Sequence, residues 1–111
     1  MKVDGELTVD ENIADSGGLN AAFGAWERHR KDRPERDMAL PGLERWTPEQ
    51  QFFLAFAYSG CGTWTKEGAA WLAETNPHAL SNFRVTGPLQ NSQGFREAFG
   101  CKVKEPTCPM W

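Results

Sequence analysis

TVDENIADSGGLNAAFGAWERHR, residues 8–30, is the stretch that decides the fold class. Leu19, Ala22, Phe23 and Trp26 fall at the i, i+3, i+4 and i+7 positions of one helical face, with polar and charged residues on the other. The spacing predicts a long amphipathic helix. Thr8 with Glu11 three residues later fits a capping box, which puts the expected helix start at Thr8, with Asp10 and Glu11 near the positive end of the macrodipole. Gly17-Gly18 interrupts the run at about 1 kcal/mol per Gly relative to Ala, so a close approach by another backbone is expected there.

Outward from that helix, residues 31–43 are charged, end on Leu40-Pro41-Gly42-Leu43 and keep no period, so they read as a loop. Thr47-Pro48-Glu49-Gln50 supplies an N-cap, a Pro at the first helical position and a Gln placed for a capping box. The apolar run that follows, through Tyr58, predicts a helix buried on nearly every side, too apolar to stand uncovered in a small domain. Gly60-Cys61-Gly62 breaks it. A short helix is expected over residues 66–74, then a turn at Asn76-Pro77-His78. Ser81 is the expected cap of a turn carrying Phe83 and Arg84. Asn91 or Ser92 caps a last helix with Phe95 and Phe99 at i, i+4 and Gly100 as its C-cap. The longest strand-like alternation is residues 84–87, so the class is mainly α. Residues 101–111, with Pro106 and Pro109, read as an extended tail.

A chain of 111 residues has room for one domain or part of a larger one. Five Trp and seven Phe are too much apolar bulk for a disordered tail. The net charge is -3 and no basic cluster is longer than Arg28-His29-Arg30-Lys31, which argues against a phosphate-tracking surface and so against nucleic acid. The longest apolar run, Phe52-Phe53-Leu54-Ala55-Phe56-Ala57-Tyr58, is far short of the ~20 residues a spanning helix needs, so no membrane contact is expected of this segment. No secretory-signal pattern follows Met1. The three cysteines, Cys61, Cys101 and Cys108, cannot all pair within the chain and lack the spacing of a structural zinc site. Two readings remain open at this point: a reduced intracellular protein, or an oxidised extracellular one whose partner cysteines lie elsewhere.

Few residues carry chemistry. Glu11 and Asp15, four apart, project from one helix face about one turn from each other. Beside Ile13, Ala14 and the glycine pair they form either a metal-ligand and orienting pair or simply two surface acids at a helix start. His78 follows a Pro in a turn, and Arg84 lies between Phe83 and Val85. Together an imidazole and a guanidinium are donors that can hold a developing oxyanion and a substrate carbonyl; singly, each is an ordinary surface residue. His29, in a charged helical stretch, reads as a surface residue.

Glu11-Asn12-Ile13-Ala14-Asp15 followed by Ser16-Gly17-Gly18-Leu19 resembles the ENIAD-x-GG-L element of the neprilysin and endothelin-converting-enzyme family of zinc metallopeptidases. Leu40-Pro41-Gly42-Leu43, Thr47-Pro48-Glu49-Gln50-Gln51-Phe52-Phe53-Leu54, Asn76-Pro77-His78, Phe83-Arg84-Val85, Leu89-Gln90-Asn91-Ser92 and Phe95-Arg96-Glu97-Ala98-Phe99 resemble later blocks, in the family's order. Cys108-Pro109-Met110-Trp111 resembles its closing CxxW. The resemblance implies that residues 1–111 are the C-terminal segment of a neprilysin-like catalytic domain: the helical part of a thermolysin-like (gluzincin) fold, incomplete as a free-standing unit. It further implies a zinc metalloendopeptidase acting on peptide substrates. In it Glu11 would be the third Zn2+ ligand and Asp15 the acid orienting a zinc-binding histidine. His78 would contact the tetrahedral intermediate and Arg84 would bind a substrate backbone carbonyl.

The departures are informative. The HExxH helix is absent, since the two histidines, His29 and His78, lack that spacing, and so is the Asn-Ala-x-Tyr element that holds the substrate backbone. Asp10 stands where Gly is common, and Gly60 where an aromatic often precedes the cysteine. The chain alone is therefore expected to be inactive, its remaining zinc ligands and its structural partner lying upstream in the same domain. The alternative is a secreted non-catalytic binding module. The resemblance also implies that the three cysteines bridge to upstream segments and that the protein is extracellular, secreted or the ectodomain of a single-pass membrane protein. Its geometric consequence is that Glu11, Asp15, His78 and Arg84 converge on one concave surface, with Arg84 pairing Asp15.

Overall fold

The computed structural model describes residues 3–38 and 40–102. Among them the regular structure is all helical: α1 (Gly5–Asp32), a 3-10 turn (Pro34–Arg36), α2 (Pro48–Ser59), α3 (Lys66–Thr75), α4 (Ser81–Asn91) and α5 (Gln93–Phe99). Residues 103–111, including Cys108 and the closing CPMW expected to form an extended tail, lie outside the described residues.

Helix α1 begins earlier than its sequence suggests. Asp4 is the N-cap: its Oδ1 accepts from the amides of Glu6 (3.0 Å) and Leu7 (3.2 Å), satisfying two of the donors that a helix start leaves open. Thr8, expected to cap, is instead inside the first turn and buried, its hydroxyl donating to the Asp4 carbonyl at 2.8 Å. The helix then runs unbroken through Gly17-Gly18 for 28 residues, roughly 42 Å at 1.5 Å per residue. That length accounts for most of the 47 Å long axis. The close backbone approach expected at the glycines is not found at Gly18, where a Cβ would meet nothing within 4 Å. The expected loop after it is shortened, because α1 continues to Asp32 and the 3-10 turn follows.

α2 starts as its sequence predicts. Thr47 Oγ1 accepts from the Gln50 amide at 3.2 Å and Gln50 Oε1 accepts from the Thr47 amide at 3.0 Å, a complete capping box with Pro48 at the first helical position. The core lies where α1, α2 and α5 meet. Phe53, 1% exposed, has ring centroids 4.7 Å from Phe23 of α1 and 5.5 Å from Phe95 of α5. Phe52 and Trp26 extend the cluster on one side, Phe99 and Trp46 on the other. Such edge and tilted pairs add a fraction of a kcal/mol to about 1.5 kcal/mol each beyond area burial. A helix buried on nearly every side is not what forms, however. In α2 only Phe53 is fully buried and Tyr58 is 79% exposed, because the other helices cover one face alone.

α3 occupies Lys66–Thr75 as expected, capped by Thr65, whose hydroxyl accepts from the Gly68 amide at 3.0 Å. In α4, Ser81 is the first helical residue rather than the cap, and Leu80 at the N-cap offers no side-chain acceptor. The alternation over residues 84–87 lies inside this helix, so packing against α1 overrides a four-residue pattern too short to specify a strand. Pro88, buried in its second half, has no amide to give the Arg84 carbonyl. Of the two cap candidates for α5, Ser92 serves, its Oγ accepting from the Phe95 amide at 3.2 Å. Gly100 ends that helix at φ 62°, the left-handed conformation a glycine C-cap supplies.

One ionic cluster ties the end of α1 to the start of α2. The Arg30 guanidinium lies 4.6 Å over the Trp26 ring and donates to Glu49 and to Asp37. Burial by itself raises the Glu49 pKa, but hydrogen bonds from Arg30, its own backbone amide and Thr47 bring it below the usual 4.5. A depressed carboxylate stabilises fully above its unfolded value and loses that contribution as pH falls through its folded one. We therefore expect hydrogen exchange in the first turn of α2 to speed up as pH drops from about 5.5 to about 3.5, and Glu49→Gln to blunt that response, after correction for intrinsic exchange. The effect should be modest, Glu49 being 36% exposed. An identical acid response in both proteins would refute it.

Candidate active site

Two helices and one turn build the site. Glu11 and Asp15 sit one turn apart on α1, whose early start at Asp4 carries both well inside the helix rather than at its frayed end. Arg84 projects from the first turns of α4 toward α1. Its Nε donates to Asp15 Oδ2 and its Nη2 to Asp15 Oδ1, both at 2.7 Å. This two-pronged geometry is available to a guanidinium and not to an ammonium. Asp15 is 18% exposed, so the pair is partly withdrawn from water. The hydrogen bond to Asp15 is the main reason the Arg84 pKa rises above its already high value; desolvation opposes it, and Asp15 and Glu11 reinforce it through space. Arg84 is a fixed cation.

His78 closes the other half. Its Nε2 lies 3.1 Å from Glu11 Oε2. The sequence reading missed the residue that aims it: Asn76 Oδ1 accepts from the His78 amide at 2.9 Å and lies 3.1 Å from His78 Nδ1. Nδ1 faces that oxygen and Nε2 faces Glu11, two acceptors, so the ring donates to both when each nitrogen carries a hydrogen. The signal was present in Asn76-Pro77-His78, since an Asn side chain bonding the backbone two residues on is the usual asparagine turn. Thr8 and Asn12 support the same face of α1, Asn12 Nδ2 donating to Thr8 Oγ1 at 2.9 Å. The four residues singled out in the sequence thus meet as two adjacent pairs. His29, exposed near the end of α1, takes no part.

A cleft opens on each side of Arg84. One is lined by Asp15, Phe56, Gly60, Ser81 and Val85. At Gly60 a Cβ would come within 2.5 Å of a Val85 methyl, so the side chain that position lacks is replaced by Val85 packing down against the backbone. The other cleft is lined by Trp64, Leu72, Asn76, His78 and Leu80. The metal question has a stoichiometric answer. Among the described residues no group of three His, Cys, Asp or Glu is placed to hold a metal ion. A catalytic zinc needs three protein ligands and an open position, so these residues do not fit one by themselves. What they offer is one half-buried carboxylate, Glu11, with an imidazole beside it.

The comparisons agree with the resemblance seen in the sequence. Residues 1–110 match Peptidase family M13. Neprilysin-3 of Drosophila melanogaster is 42% identical over 98% of this chain, and neprilysin of Homo sapiens is 41% identical over the same share. An endothelin-converting enzyme homolog of Locusta migratoria is 42% identical over 97%. The chain spans only 14 to 15% of the length of these three relatives. A solved structure, the Haemonchus galactose containing glycoprotein complex, superposes with a TM-score of 0.90 at 35% identity, over 98% of this chain and 20% of that one.

The Arg84–Asp15 pair should be a main fastening between α4 and α1. Arg84→Ala is expected to cost about 1–3 kcal/mol, toward the lower end because Arg84 is 37% exposed. Arg84→Lys should recover only part of it. Hydrogen exchange across residues 81–91 reads this out directly. Unchanged protection in both variants would show that the pair does not hold the helices together.

Proposed function

This chain belongs to peptidase family M13, and on that premise we propose that it forms the C-terminal part of a zinc metalloendopeptidase domain. The observation that carries the reading is the meeting of Glu11 with His78 and of Asp15 with Arg84 on one face, by residues that stand far apart in the chain. In this reading Glu11 is the third zinc ligand, completing a set whose two histidines come from outside these residues. Zinc, when bound in the complete domain, supplies the Lewis acid and lowers the pKa of its water. Asp15, held by Arg84 through both oxygens, is a rigid acceptor that orients one of those histidines through its outer lone pairs.

His78 contributes a donor. Fixed by Asn76, it presents Nε2 beside the Glu11 carboxylate, where a hydrogen bond can reach the tetrahedral oxyanion of a peptide under attack. Arg84 is held from one side by Asp15 through Nε and Nη2, and Nη1 takes no part in that pair. It is the edge that binds a substrate backbone carbonyl. Neither residue moves a proton in this scheme; each positions or stabilises charge.

For the isolated chain the second reading, a binding module without hydrolysis, is favoured by the lack of HExxH in its sequence and of a complete ligand set among the described residues. The partner required for catalysis is the upstream segment of the same domain. The exposed Tyr58, Trp64 and Trp71 give such a segment apolar surface to cover. No helix among the described residues is long and apolar enough to cross a membrane. We place the protein outside the cell, secreted or as an ectodomain, with its cysteines bridging to that upstream segment. Cys61 and Cys101 are both exposed and not joined to one another.

Two outcomes test this. With zinc supplied, a fluorogenic peptide should be cleaved by the complete domain, not by the isolated 111 residues, and Glu11→Ala in the complete domain should lower turnover by at least ~10²-fold through loss of a ligand. Zinc-dependent turnover by the isolated chain, or undiminished turnover by the variant, would overturn the role of Glu11. The isolated chain should also retain at least one thiol that alkylates without reduction. A monomer whose mass shows none would contradict the bridging of all three cysteines to segments outside it.

A further inference from the structure

Gly60 caps the C-terminal end of α2, and Val85 follows Arg84 directly on α4; all three line one cleft with Asp15. We infer that the contact between Gly60 and Val85 positions Arg84 for substrate. Gly60, having no side chain, gives Val85 a backbone seat that fixes the root of the arginine while Asp15 fixes its tip. Gly60 and Val85 are thus positioning residues, and the inference rests on reading Arg84 as the contact for a substrate backbone carbonyl.

Space, not backbone conformation, is what demands glycine at this point. Gly60 has φ -91° and ψ 3°, angles that most residues adopt in an ordinary turn. A Cβ there would stand 2.5 Å from a Val85 methyl and 3.4 Å from the Ser81 carbonyl oxygen, so the first turns of α4 lie directly against the end of α2. Neither side of the contact yields easily. The Gly60 amide donates to the Ala57 carbonyl at 3.1 Å and the Cys61 amide to the Tyr58 carbonyl at 3.0 Å, which pins the backbone under Val85. Val85 is β-branched and lies inside a helix, where one χ1 rotamer is strongly preferred, so its methyl does not swing aside without cost.

An arginine side chain is long and freely jointed, so a grip at one end alone leaves its remaining edge loosely placed. Asp15 takes Nε and Nη2, both at 2.7 Å, and Nη1 lies outside that pair. With the tip held on α1, the placement of Nη1 depends on where α4 carries the Arg84 backbone. The seat of Val85 on Gly60 sets that placement one residue away. A misplacement of about 1 Å far from the chemistry can cost on the order of 10²-fold in rate, so a single methyl group in the seat is enough to matter.

The test measures kcat/KM of the complete domain on a fluorogenic peptide. Gly60→Ala should lower it by roughly tenfold to a hundredfold. Val85→Ala, which loosens the seat and introduces no collision, should lower it less. The double variant moves a methyl group from one side of the contact to the other and should recover most of the loss. Repeating both single substitutions in an Arg84→Ala background separates positioning from general damage, because an effect that acts through Arg84 disappears there. Unchanged kcat/KM in both single variants, a double variant as slow as Gly60→Ala, or equal losses with and without Arg84 would each overturn the positioning role and leave the role of Arg84 standing. Unaltered kcat/KM in Arg84→Ala itself would overturn the reading of Arg84 as a substrate contact, and the positioning role with it.

Discussion

Arg84 reaches across 69 residues of sequence to grip both oxygens of Asp15, and the rest of the site takes its place from that grip. It joins α4 to α1 at the level where Glu11 lies one turn away, and it brings the turn carrying His78, just ahead of α4, alongside the same face. Two hydrogen bonds at 2.7 Å between fixed opposite charges have a directional requirement that apolar packing lacks. The aromatic cluster around Phe53 fastens α1, α2 and α5 at the far end, and it tolerates sliding far better than a two-pronged ion pair does. The cluster holds helices together; the pair sets their register at the functional end.

The chain is economical in what it buries. Among the described residues, Leu19 and Phe53 are the hydrophobic side chains taken fully out of water, while Met38, Tyr58, Trp64 and Trp71 stay more than half exposed. A unit of this size with so small a core is only marginally stable. It is also a short stretch of much longer relatives. The proposed reading, a helical segment whose chemistry and stability are completed by the remainder of a domain, accounts for both facts. Arg30, bridging Glu49 and Asp37 over Trp26, is the local compensation available without such a core.

Much of this was legible from residue order. Leu19, Phe23 and Trp26 mark α1 because their spacing matches the helical period, and Thr47 with Gln50 marks the start of α2 because a capping box needs two reciprocal side chains at a fixed offset. Ser92 and Gly100 bracket α5 for equally local reasons. The errors were local too. Thr8 and Glu11 have capping-box spacing, yet Asp4, four residues earlier, already satisfies the first amides, and once a helix has begun its next candidate cap is simply an interior residue. Gly17-Gly18 lowers helix propensity but does not stop a helix with packed turns on both sides, since about 2 kcal/mol of propensity is outweighed by burial of Ser16 and Leu19 and by the Asp15 pair.

Residue types and their order determined by themselves that the chain is mainly helical, where most of its helices lie, and which family it resembles. Each of these depends on interactions within a few residues or on the pattern of motifs along the chain. The pairing of Asp15 with Arg84 was implied by the family resemblance and realised by the docking of α4 on α1, while the tertiary structure alone decided that Glu11 contacts His78, that Asn76 aims the imidazole, and that Trp64 lines a cleft with His78 and Arg84. Contacts between residues tens of positions apart are fixed by how helices dock, and docking depends on the summed shape and charge of whole faces, which no local spacing encodes.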